Sequence, residues 1–114
     1  MAIATQDTPR RRLSDNLTVD RNPFSPLKEE STWLKFETGE ANELSVTVKI
    51  YDLQGNIIRT LAEEEMVPGP VISYPWDGRD DKGKLVYNGM YFYDVKVKSD
   101  QEEREGVKAI GVFK

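Results

Sequence analysis

The acidic loop at residues 77–83 has the residue types and spacing most suggestive of chemistry, because Asp77, Asp80 and Asp81 lie within five positions. Calcium takes several oxygen ligands at set spacings, and an EF-hand loop places acids at alternate positions with a distal Glu. Here the spacing differs and no Glu completes the set. We therefore favour a turn in which Asp77 accepts bonds from backbone N–H groups while Gly78 and Gly83 permit the chain reversal.

Catalytic constellations find little support elsewhere in the sequence. The 20 acidic residues are numerous enough for a glycosidase pair, but such a pair must face across a cleft, and these acids cluster in predicted turns. The chain has no His and no Cys, which removes the commonest general base, the thiolate nucleophile and most zinc, copper and haem ligands. No Gly-rich segment follows a strand and opens a helix, as nucleotide binding would need. We predict no enzymatic activity and no cofactor.

Length and charge narrow the class of protein further. A chain of 114 residues has room for one domain. Its formal net charge of -4 disfavours nonspecific binding to nucleic acid. No apolar run is long enough for a transmembrane helix. No apolar leader follows Met1, so a native start at Met1 would keep the chain inside the cell.

The first 16 residues differ in composition from the rest and predict a flexible arm or linker before a domain at 17–114. Arg10, Arg11 and Arg12 follow one another in this arm. They could contact an acidic protein partner or, peripherally, an anionic lipid surface. We favour the simpler interpretation, a solvated linker.

Alternation of apolar and polar residues predicts seven short strands, at 17–20, 32–38, 45–52, 57–61, 71–76, 89–98 and 107–113. Gly55 is expected at a positive φ in the turn between the third and fourth strands. The like-charge run at 63–65 predicts a solvated loop. Pro75 cannot donate to a ladder, so its strand should lie at an edge or a bulge. The pattern indicates an all-β, two-layer antiparallel sandwich.

Three large apolar side chains fall on outward faces by the same alternation: Trp33, Met90 and Phe92. An exposed aromatic strip of this kind could bind sugar rings or a protein partner. The equal alternative is that a neighbouring loop, such as the one at 21–26, covers them.

Five motifs, at residues 22–26, 48–55, 58–61, 76–83 and 89–93, occur in a specific order and spacing within the region from about Asn22 to Lys114, which is about four fifths of the chain. In that arrangement the sequence resembles the immunoglobulin-like domain of flagellar hook assembly (hook-capping) proteins. The same module recurs at the C-termini of many secreted bacterial proteins, including type IX secretion sorting domains. The motif residues that we expect to shape the fold are Asn22, Pro23, Phe24, Gly55, Trp76, Asp77, Gly78, Gly83, Gly89 and Tyr91.

The resemblance implies a seven-stranded antiparallel immunoglobulin-like β-sandwich. It also implies a non-catalytic assembly module that binds protein rather than nucleic acid in a larger bacterial complex, outside the cytoplasm or at the cell surface. A native start at Met1 would instead indicate a small accessory subunit attached through its arm. Two alternatives stay open: a C-terminal sorting or anchoring domain of a secreted protein, and a carbohydrate-binding accessory module.

Overall fold

The computed structural model describes residues 17–37, 43–68, 71–99 and 103–114. They form seven strands: β1 (Leu17–Val19), β2 (Thr32–Glu37), β3 (Glu43–Tyr51), β4 (Ile57–Pro68), β5 (Val71–Trp76), β6 (Gly89–Lys98) and β7 (Glu103–Val112). A short 3-10 turn at Pro26–Lys28 lies between β1 and β2. Within these ranges no helix has the length and apolarity to cross a membrane. The predicted arm, with Arg10, Arg11 and Arg12, lies outside the described residues.

The strands form two antiparallel sheets, one with the order β1-β2-β5 and one with the order β4-β3-β6-β7. This confirms the predicted seven-stranded antiparallel sandwich. Pro75 lies in β5, the outermost strand of the three-stranded sheet, as its missing N–H requires. Gly55 has a φ of 89°, the positive value expected for its turn.

The core lies between the two sheets and contains the predicted inward faces of β2, β3 and β6. Tyr93 is fully buried there, and its hydroxyl donates to the carbonyl oxygen of Thr32 on the opposite sheet, at 3.1 Å. Each large apolar side chain removed from water in this way stabilises the fold by about 1.5–3 kcal/mol. The largest fully buried side chains of the core are Trp76, Tyr93, Phe24, Phe36, Leu17, Leu34, Leu44, Ile50, Ile110, Val46 and Val48.

The prediction of a loop at residues 63–65 was wrong, because β4 continues through them to Pro68. The register of β4 against β3 shifts at several points, which disrupts the simple alternation that sequence patterns detect. The three glutamates lie on an exposed strand, and the side chains of two of them have partners. Glu63 lies 3.6 Å from the ammonium group of Lys49, and the hydroxyl of Tyr74 donates to Glu65 at 2.8 Å.

The last strand also begins earlier than predicted, at Glu103 rather than at residue 107. Its first residues pair with the end of β6, where Lys98 is opposite Glu103 and Lys96 is opposite Glu105. This acidic segment thus joins the sheet with a lysine opposite each of these two glutamates, which avoids like charges facing each other across the ladder.

Candidate functional site

The carboxylates of the acidic loop bind the loop's own backbone. Asp77 accepts the N–H of Arg79 at 3.1 Å, and Asp80 accepts the N–H groups of Lys82 and Lys84, both at 2.9 Å. The bond from the Lys84 N–H is the main cause of a lowered pKa at Asp80. Over the described parts of the chain, no group of three acidic, His or Cys side chains is arranged to hold a metal ion.

The same loop covers the outer edge of β4, the last strand on one side of the four-stranded sheet. Asp81 accepts the backbone N–H of Thr60 and donates its own N–H to the carbonyl oxygen of Ile58, both at 3.0 Å. The guanidinium group of Arg59 adds a contact to Asp77 at 3.3 Å. Backbone groups that an edge strand would offer to another chain are thus satisfied within the molecule.

The segment Asn22–Phe24 does the same at β7, on the opposite side of that sheet. The side-chain amide of Asn22 donates to the carbonyl oxygen of Ala109 at 3.0 Å, and its oxygen accepts the N–H of Gly111 at 2.8 Å. Phe24 forms a parallel bridge there, with its N–H donating to Gly111 and its carbonyl oxygen accepting the N–H of Phe113, both at 3.0 Å. Both outer strands of this sheet are therefore covered over part of their length.

Trp76 links the two covering segments through the core. Its ring makes edge-to-face contacts with Phe24, at a centroid distance of 5.7 Å, and with Tyr91, at 5.5 Å. Its indole N–H donates to the carbonyl oxygen of Arg79 in the acidic loop, at 2.9 Å. The hydroxyl of Tyr91 donates to the carbonyl oxygen of Tyr87 at 2.7 Å.

Gly78 of the acidic loop lies close to Phe24 of the other covering segment and to Pro26, which follows it. It has a φ of 80°, and a Cβ at this position would lie 2.5 Å from Cγ of Pro26 and 3.4 Å from Cζ of Phe24. Gly83, at the other end of the acidic loop, has a φ of 84° and no such neighbour within 4 Å. Of these two glycines, only Gly78 combines a left-handed backbone with a crowded neighbour.

The three predicted apolar contact residues lie on two different surfaces. Trp33 is 43 % exposed on the outer face of the three-stranded sheet, where its strand neighbour is Pro75. Met90, 42 % exposed, and the partly buried Phe92 lie on the outer face of the four-stranded sheet. Because the two outer faces point away from each other, these side chains form no single aromatic strip.

Strand pairing creates an apolar row across the four-stranded sheet that alternation within one strand does not reveal. Ile57 of β4 is opposite Tyr51 of β3, Tyr51 is opposite Phe92 of β6, and Phe92 is opposite Ala109 of β7. Met90 lies next to Phe92 on the same face of β6. We call these five residues the apolar row; Ile57 is 50 % exposed at one end of it.

The rest of this outer face carries lysine and glutamate side chains whose opposite charges largely neutralise one another. They form solvent-exposed ion pairs, and each such pair contributes little to stability. Three lysine–glutamate pairs cover it: Lys49 with Glu63 at 3.6 Å, Lys96 with Glu105 at 3.6 Å, and Lys98 with Glu103 at 3.9 Å.

Asp94 lies at the boundary between the apolar row and the charged part of the face. It is opposite Lys49 on β3 and Val107 on β7. Its Oδ1 atom is buried and has no hydrogen-bond partner among the described residues. Burial raises the pKa of Asp94, and the carboxylate of Glu105 adds to the increase. Lys96 and Lys49 act on this pKa in the opposite direction, so the carboxylate has cationic neighbours but, within the described part of the chain, no hydrogen bond at its Oδ1 atom.

An open cleft of about 440 Å³ adjoins the apolar row at Met90. Leu53 and Tyr87 line it with 67 % and 78 % of their surfaces exposed. Asp52 and Asp80 contribute carboxylates to the same cleft. The pKa of Asp52 is lowered, first by the bond from the side chain of Asn56, so the carboxylate is charged at neutral pH.

Comparison with known proteins gives a family and a fold. The family model for the FlgD Ig-like domain matches residues 24–103. No curated protein matches the chain. Among solved structures, dimeric latent PorU from Porphyromonas gingivalis aligns with a TM-score of 0.66 and 23% identity over 85% of this chain. FlgD from P. aeruginosa aligns with a TM-score of 0.58 and 15% identity over 89% of this chain and 74% of its own.

PorZ of P. gingivalis, described as an essential bacterial surface component of the type-IX secretion system, aligns with a TM-score of 0.55 and 20% identity over 88% of this chain. The chain spans 9% of the length of PorU and 12% of the length of PorZ. At these identities the structural likeness establishes the fold alone.

Proposed function

Because the chain belongs to the FlgD Ig-like domain family, we propose that it is a non-catalytic assembly module and that the outer face of its four-stranded sheet binds another protein. The observation that carries the proposal is the apolar row, which runs across all four strands in register. Contiguous apolar surface on a small domain is typical of a protein contact.

The two other modes of contact have less support. Strand addition needs an uncovered edge, and part of each outer strand of the four-stranded sheet is engaged, by Asn22 at β7 and by Asp81 at β4. Sugar binding needs well-exposed aromatic platforms; among the described residues Trp33 is the aromatic side chain on the outer face of the three-stranded sheet, and Tyr51 and Phe92 on the other sheet are partly buried. We therefore do not propose a carbohydrate-binding function.

The setting of the module is drawn from its family and its neighbours. FlgD is a member of the matched family, and PorZ is described as a surface component of a secretion system. The matched regions are small parts of PorU and PorZ, which supports a role as one module of a larger bacterial assembly. A sorting or anchoring domain of a secreted protein would use the same face and would differ in having the export machinery as its partner.

Site-specific photo-crosslinking in the native cell tests the proposal. A photoreactive phenylalanine analogue replaces Phe92, Ile57 or, as the control on the opposite face, Trp33. We expect a discrete protein adduct from positions 57 and 92 and none from position 33. An adduct from position 33 alone, or none from any position, would refute the choice of face. A parallel Phe92→Ser chain should lose the adduct formed from position 57 while keeping its circular dichroism spectrum.

A further inference from the structure

We propose that Asp94 and the apolar row bind an extended protein segment in which an arginine is flanked by apolar residues. The inference rests on the proposed function and names the chemistry of the partner. It begins from Asp94, whose buried Oδ1 atom lacks a donor among the described residues. The residue itself is partly exposed, so a partner's cation can approach the carboxylate from its open side and offset the free-energy cost of the water it has lost.

The charged neighbours of Asp94 already have partners of their own. Lys49, opposite Asp94 on β3, pairs with Glu63 at 3.6 Å, and Lys96, two residues along β6, pairs with Glu105 at 3.6 Å. Both lysines also lower the pKa of Asp94, but neither donates to its Oδ1 atom, so among the described residues Asp94 is the carboxylate on this part of the face without an ion-pair partner of its own. The net charge of -4 on the chain also favours the approach of a basic segment.

The surroundings of Asp94 favour arginine with apolar flanks. Phe92 lies two residues away on the same face, and the half-exposed Val107 lies directly opposite. A segment lying over these side chains would exclude water and strengthen a charge-assisted bond to the carboxylate. The planar guanidinium group fits both requirements, because it binds carboxylates in a fixed geometry and stacks on aromatic rings.

The size of the patch favours a segment over a folded partner. Four strands at ~4.8 Å spacing and about four residues at ~3.4 Å give roughly 19 by 14 Å, or ~270 Å². A stable interface between folded proteins buries ~800 Å² on each partner, so this patch is smaller than one side of an interface with a second copy of the chain. The adjoining cleft, with Leu53 and Tyr87, extends the surface at one end, as an extended segment would use.

Binding of defined peptides to the ¹⁵N-labelled full chain, followed by nuclear magnetic resonance, tests the inference. The probe is a synthetic eight-residue peptide with a central arginine between valine and leucine residues. Its matched control has citrulline, the neutral analogue, in place of arginine. We expect the arginine peptide to shift the amide signals of Phe92, Asp94 and Val107. The citrulline peptide should bind about tenfold more weakly, as loss of a charged hydrogen bond predicts.

Asp94→Asn is the decisive variant, because removal of an unpartnered buried charge leaves the fold as stable or more stable. It should bind the two peptides equally, whereas Trp33→Ala should discriminate between them as the parent chain does. Equal binding by the parent chain, or signals that do not shift at millimolar peptide, would overturn the inference even where photo-crosslinks support the proposed function. Arginine-selective binding without any photo-crosslink would support the inference and refute the cellular role.

Discussion

Replacing Gly78 with alanine tests how tightly the acidic loop is packed against the segment that covers β7. Its φ of 80° costs an L-residue about 1–2 kcal/mol. The new Cβ would also lie 2.5 Å from Cγ of Pro26, and overpacking of this kind costs about 1–3 kcal/mol. We expect Gly78→Ala to lower the free energy of unfolding by roughly 2–5 kcal/mol.

Gly83→Ala is the matched control, because Gly83 has nearly the same backbone conformation, with a φ of 84°, and no neighbour within 4 Å. It should lower the free energy of unfolding by about 1–2 kcal/mol, the backbone cost alone. The difference between the variants, roughly 1–3 kcal/mol, isolates the contact with Pro26. Each kcal/mol corresponds to about 4–8 °C in Tm for a domain of this size.

Guanidinium unfolding, followed by circular dichroism and tryptophan fluorescence, measures both variants against the parent chain. Similar slopes with denaturant would show that the midpoints report stability rather than a change in compactness. Equal destabilisation by the two substitutions would refute the reasoning, because it would mean that Pro26 is not in contact with the loop or moves away at no cost.

Three further predictions follow from single hydrogen-bonding groups. Asn22→Ala removes two bonds to β7 and should lower the free energy of unfolding in urea by about 1–3 kcal/mol; an unchanged midpoint would contradict its covering role. Hydrogen bonds lower the pKa of Asp80, so the stability it contributes is present above the unfolded pKa and is lost as pH falls through the folded pKa. Asp80→Asn should therefore flatten the acid side of a plot of Tm against pH; a plot that runs parallel to that of the parent chain would count against this. Burial raises the pKa of Tyr93, so the free energy of unfolding should fall as pH rises above ~10, where Tyr93 of the unfolded state ionises. The fall should be less steep in Tyr93→Phe, and ultraviolet titration of tyrosinate can follow the ionisation that causes it.

The fold is predictable from this sequence wherever one strand alternates cleanly. The inward faces of β2, β3 and β6 follow from the alternation of residues such as Phe36, Val48 and Tyr93, all fully buried. The second half of β4 does not, because bulges break its period and its glutamates are individually unfavourable in strands. Their pairing with Lys49 and Tyr74 depends on elements distant in sequence.

The candidate site was likewise only partly predictable from alternation within single strands. Alternation places Trp33 and Phe92 on outward faces but cannot tell that their strands belong to different sheets. The apolar row exists because the register of four strands brings Ile57, Tyr51 and Phe92 side by side. Asp94 appears in sequence as an ordinary surface acid, and its missing donor becomes evident only when both neighbouring strands are in place.

The two segments that cover the outer strands of the larger sheet bear on how such a domain behaves when many copies are crowded together. Neighbouring copies find no bare ladder at Thr60 or Gly111 on which to grow a shared sheet. These stretches of the larger sheet therefore offer no template for a shared sheet when copies of the domain are displayed densely or fused to unrelated chains. Recognition then falls to side chains, which can diversify without disturbing the scaffold beneath them.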